Sequence, residues 1–207
     1  MTDRTGVWGA LERWRSVAFL VPGIAFLLIT VNAALVMLAN TGANLSDRPL
    51  VHLGFILVAL IGLLGLSPRL VERARRLGRV CQVLAITVGL EIVLTFGVGI
   101  IPPSIPRTLF AVAVPMGVLG AALTMAVCAA TTLWTRAYAR PVGGFLLLAA
   151  FGLLIVIVKA LLFGDVGGPQ WVPVVDNGMV GFSLTAVGLL LLRGEPAEQT
   201  ESTETVA

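Results

Sequence analysis

Long, unbroken apolar runs alternate with short polar connections along the whole chain. Six runs can be marked, at 16–39, 50–66, 80–101, 108–134, 142–164 and 173–192. Each is near the roughly 20 residues that a helix needs to cross a hydrocarbon core. Backbone polar groups in lipid must be satisfied within the segment, so these runs predict helices. The expected fold class is all-α, a polytopic integral membrane protein built as a bundle of six transmembrane helices. Residues 1–15 read as a cytoplasmic N-terminal segment, 16–192 as the transmembrane domain and 193–207 as an acidic tail. The first run exceeds the apolar stretch of a signal peptide and no A-x-A site follows it, so it reads as a span.

Composition strengthens this reading. Of 207 residues, 57% are hydrophobic and 12% charged; soluble domains carry about 25% charged residues. The charges are also ordered. Eleven arginines fall before the first run, between the second and third, between the fourth and fifth, or after the sixth. The opposite connections hold only Arg48 and Arg107. Positive residues mark the cytoplasmic side, which predicts a cell-membrane protein with both termini cytoplasmic. The net charge of +3 is thereby explained by orientation in a bilayer, and no nucleic-acid partner is expected. Trp8, Trp14, Trp134 and Trp171 all fall at the ends of runs, as an aromatic belt requires.

Segment 67–79, SPRLVERARRLGR, reads as a short amphipathic helix in a loop. Pro68 suits its first turn and Glu72 is spaced to pair with Arg76. Arg69, Arg73, Arg75, Arg76 and Arg79 are its candidate contacts to anionic lipid head groups on the cytoplasmic side. The tail holds four glutamates and no aromatic residue, and is expected to be disordered, without an extramembrane domain.

The fourth run carries two small-residue stripes, Ala122/Ala126/Ala130 and Gly120/Thr124/Cys128, which would let helices approach closely and place this span centrally. The segments GFILVALIGLL from Gly54 and GFLLLAAFGLL from Gly144 agree at seven of eleven positions. An inverted three-plus-three repeat would produce such a match, and so would chance between leucine-rich segments. A homo-oligomer or a membrane partner is compatible with either.

Ionisable side chains within spans are costly and are candidates for function. Glu91 lies mid-span in the third run, Lys159, the single lysine, in the fifth, and Asp176 early in the sixth; Asn32 and His52 add polar groups to the first two. Helical rise puts Lys159 roughly 8 Å and Glu91 roughly 15 Å below the outer surface. These depths predict an outward polar cavity for a small solute or ion, with Glu91 as its floor. A carboxyl there is costly to ionise, a property that proton coupling uses. The alternative is packing: Lys159 reaches to head groups, Asp176 caps a helix start and Glu91 is held between helices. The two expectations are a small transporter or channel-like protein and a non-catalytic membrane subunit.

Other chemistries find no support. A retinal Schiff base would use a lone membrane lysine, but six spans and the lack of mid-span tryptophans depart from microbial rhodopsins. The segment GFSLT around Ser183 lacks the second glycine of GxSxG, and LFGD lacks the first glycine of GxGD. One histidine cannot supply two haem ligands. Cys81 and Cys128 have no CxxC or histidine neighbourhood, so they read as small apolar residues; no metal, cofactor or catalytic residue is expected.

Overall fold

The computed structural model describes residues 6–39, 45, 48–100, 107–163 and 171–194. Among them are six helices and no strands: α1 (Val7–Ala39), α2 (Pro49–Arg73), α3 (Arg75–Ile100), α4 (Arg107–Thr135), α5 (Arg140–Phe163) and α6 (Val172–Gly194). All six are long and apolar enough to cross a membrane. Their outward faces are apolar too, with Leu28, Leu94, Leu123 and Leu161 more than half exposed. Faces of this kind suit hydrocarbon and not water. The protein is therefore a multi-pass membrane protein. The tail beyond Gly194 and Arg4 lie outside the described residues.

Each helix packs against its neighbours in the chain, α1 also packs against α6, and the bundle is a closed ring. A contact between α2 and α4 crosses the ring, so these two helices each pack against three others. The central position expected for α4 is thus shared with α2. Of the α4 stripes, Ala122, Thr124 and Cys128 are buried while Ala130 is exposed. The close approach between helices that small residues permit occurs at α1 and α6. A methyl group added at Gly23 would meet the Thr185 amide nitrogen at 2.5 Å, and one at Gly181 would meet the Leu27 nitrogen at 2.8 Å. Backbone can meet backbone there only because both side chains are hydrogen.

The chain between α2 and α3 differs from expectation. There is no separate loop helix: α2 continues through Pro68 to Arg73, Ala74 breaks the helix with φ −145° and ψ 82°, and α3 starts at Arg75. The break separates Glu72 from Arg76 in helical phase, and no ion pair joins them among the described residues. The start of α1 is a second difference, because helix already begins at Val7, within the segment read as preceding the first span. An ion pair three residues apart, Arg15 to Glu12 at 3.1 Å, supports that added turn.

The two matching segments lie in unlike surroundings. Gly62 of α2 faces Phe19 of α1, whereas Gly152 of α5 faces Val180 of α6. Under a three-plus-three repeat Gly152 would face α4, the counterpart of α1.

Within the spans, most hydroxyl groups are satisfied locally. Thr30, Thr95, Thr124, Thr131, Thr132 and Thr185 each donate to the carbonyl four residues earlier, at 2.7–2.9 Å. This is how a helix in lipid hides a polar side chain. Polar groups not satisfied in this way stand out against it.

Candidate functional site

Four such groups gather at one end of the bundle, where α1, α3 and α5 finish and α2, α4 and α6 begin. This is the distal end; the end where α1 begins and α6 finishes is proximal. A cavity of ≈ 140 Å³ opens there, lined by residues of α1, α2, α4, α5 and α6. Its walls are apolar, from Phe26, Ile56, Val114, Val118, Leu153 and Val180. Its polar lining is His52, Lys159, Asp176 and Asn177, from three different helices.

Three of these four form one chain of contacts. Asn177 donates its side-chain nitrogen to Pro173 O at 2.7 Å and to Asp176 Oδ1 at 3.0 Å. Its backbone N–H also donates to Asp176 Oδ1, at 2.6 Å. With its amide nitrogen committed to two acceptors, the orientation of the Asn177 side chain is fixed, and Oδ1 is the atom left facing His52. His52 Nε2 lies 3.1 Å from that oxygen and Nδ1 lies 3.0 Å from Arg48 O. The imidazole ring also stacks at a tilt on Phe26, with centroids 5.6 Å apart.

The other members are less committed. Asp176 is 3% exposed, and its Oδ1 accepts both bonds from Asn177. Lys159 makes no hydrogen bond or ion pair among the described residues, although Asp176 interacts electrostatically with both Lys159 and His52.

Of the candidates named from sequence, His52, Lys159 and Asp176 meet in the cavity, while Glu91 and Asn32 do not line it. The cavity does not end at Glu91. Helical phase turns that side chain toward α4, where Gly117 leaves room for it; a methyl at Gly117 would meet Glu91 Oε2 at 2.7 Å. Thr95 Oγ1 lies 3.3 Å from Oε1 as its donor. Asn32 instead accepts from the Leu45 backbone N–H at 2.8 Å. Asn177 was not among the candidates, because an amide carries no charge and a search for ionisable residues passes over it.

The proximal end holds a second polar cluster. Glu12 Oε1 accepts from Arg15 Nη1 at 3.1 Å and from Arg69 Nε at 3.2 Å. Both guanidinium groups lie over the Tyr138 ring, each 5.6 Å from its centroid. The Tyr138 hydroxyl donates to Leu66 O at 3.1 Å. Burial pushes the Tyr138 phenol up to about 12, against the opposing pull of the two arginines. Arg69 thus serves in a cluster that joins α1, α2 and the α4–α5 connection. Arg73, Arg75, Arg76 and Arg79 are exposed around the Ala74 break.

Cys81 and Cys128 are free, buried thiols, and Cys81 Sγ lies 3.7 Å from Thr131 Oγ1. No group of three or more metal-ligating side chains occurs among the described residues. Comparison with protein-family models, with curated proteins and with solved structures returns no match.

Proposed function

We propose that the protein is a small-solute transporter of the cell membrane, with the distal cavity as its substrate compartment. The observation that carries this reading is the convergence of Lys159, Asp176 and His52, from three helices, on one cavity with apolar walls. Ionisable groups in a bundle interior mark solute or ion pathways, and a binding compartment is an apolar concavity with few convergent polar groups. The arginine asymmetry puts the distal end outside and both termini in the cytoplasm. Arg73, Arg75, Arg76 and Arg79 then face anionic head groups of the inner leaflet.

A second reading, a non-catalytic membrane subunit, is favoured by one observation. Glu91 sits against Gly117 as a polar contact between α3 and α4 and does not line the cavity, which suits a packing role. Flux measurements in proteoliposomes separate the two. The transport reading expects movement of a solute that is lost in Lys159→Met and kept in Glu91→Gln. Wild-type vesicles that move nothing across a broad panel of ions and small solutes sink it in favour of the subunit.

A further inference from the structure

The polar lining of the cavity also specifies what it takes. His52 has an acceptor at each ring nitrogen: the Arg48 carbonyl at Nδ1 and Asn177 Oδ1 at Nε2. Turning the Asn177 amide over would not relieve this, since its oxygen would then face Pro173 O and Asp176 Oδ1. A neutral imidazole has one N–H and can serve only one of the two acceptors; the imidazolium serves both. The charged ring would serve both contacts at once, while Arg48 O also accepts from the Val51 and His52 backbone N–H groups. Its charge would be opposed by Asp176, to which Asn177 links it and which interacts with Lys159 as well.

With the ring charged, the described lining of the cavity carries two cations, Lys159 and His52, against the one carboxylate of Asp176. Among the described residues lining the cavity, the titratable and charged groups beside His52 are Asp176 from α6 and Lys159 from α5; α1 and α4 contribute Phe26, Val114 and Val118, α3 contributes none, and Arg48, one turn before His52, is exposed. An excess positive charge between apolar walls is costly until an anion joins it. When His52 is neutral the balance changes, because the Asp176 carboxylate then compensates Lys159 and no further anion is called for. Proton and anion are thus linked, each raising the affinity for the other.

We propose that the cavity binds a small organic monocarboxylate together with one proton, the carboxylate on Lys159 and the proton on His52. This rests on the transport reading for its purpose but not for its chemistry. The apolar walls select an organic acid over an inorganic anion. The size is set by the volume of ≈ 140 Å³; an apolar cavity of about 150 Å³ accepts benzene. Acids from acetate to benzoate span that range. Asn177 acts as a positioning residue, holding Asp176 and His52 in one network.

Calorimetric titration of the full chain in lipid nanodiscs with acetate, butyrate, benzoate and chloride, at pH 6 and pH 8, tests the proposal. Histidine is the side chain whose charge ordinarily changes between these values. The expected result is carboxylate binding roughly ten-fold tighter at pH 6, the size of a typical coupling. Chloride should bind more weakly than butyrate. Binding should vanish in Lys159→Met, return in Lys159→Arg, and lose its pH dependence in His52→Gln. Helical circular dichroism shows which variants are folded. The proposal is overturned by wild-type protein that binds none of the acids, by a folded Lys159→Met that binds them as well as wild type, or by pH dependence that survives in His52→Gln. Carboxylate binding without flux would sink the transport reading and keep the site. Flux of another solute without carboxylate binding would do the reverse.

Discussion

Tyr138 is the only tyrosine in the chain, and two guanidinium groups lie over its ring. Its ionisation can therefore be followed alone, by tyrosinate absorbance. The expected midpoint is about 12, pushed up by burial from the ordinary value of 10.0. A midpoint near the ordinary value would show a ring open to water. The sign for stability follows from linkage. A phenol whose folded-state value is raised keeps its contribution below the unfolded value and loses it as pH rises through the folded one. Stability should fall between pH 10 and pH 12 by more in wild type than in Tyr138→Phe. At neutral pH the same substitution removes the bond to Leu66 O and should cost about 1–2 kcal/mol. At this scale the sequence was partly legible. His52, Lys159 and Asp176 are conspicuous as polar residues in apolar runs, but Asn177 hides as a neutral amide. Arg15, 4% exposed, falls in the segment read as cytoplasmic, because nothing local announces its contact with Tyr138.

Helices α1 and α6 meet through glycine, and the consequence is steric. Gly23→Ala places a methyl against the Thr185 backbone, an atom that cannot swing aside. The expected loss is about 1–3 kcal/mol, as for overpacking elsewhere. Gly144→Ala, with nothing within 4 Å, is the control; it should stay within about 0.5 kcal/mol of wild type. Thermal unfolding in detergent compares the two, and equal melting points would refute the close approach. The six helices themselves were legible, since length and hydropathy are properties of contiguous sequence. The Ala74 break was not. Its flanking residues Arg73, Arg75 and Arg76 are competent helix formers, Pro68 lies within α2, and Gly78, where an added methyl would meet Val71 N at 2.5 Å, gains meaning only from the turn it permits. The α1–α6 approach was equally hidden, because a lone glycine in α1 gains meaning only from the partner opposite. The repeated stripe in α4 drew attention to a different interface.

For the molecule as a whole, the charge asymmetry makes a topological prediction. Reporters that become active only in the cytoplasm should both work when fused to the N and C termini. One working and one silent would contradict the even number of spans, and two silent would invert the orientation. Substituting alanine at Arg73, Arg75, Arg76 and Arg79 should lower the cytoplasmic fraction of both reporters, since this connection carries five of the eleven arginines on that side, the largest share of any connection. Closure of the ring has a consequence for synthesis. The helix that seats α1 is the last of these six to be made, and the same helix brings Asp176 and Asn177 to His52. Until translation passes residue 194, α1 lacks that partner and the ligand chamber lacks a wall. A nascent chain stopped after α5 would present the quality-control machinery with five inserted helices and no finished compartment.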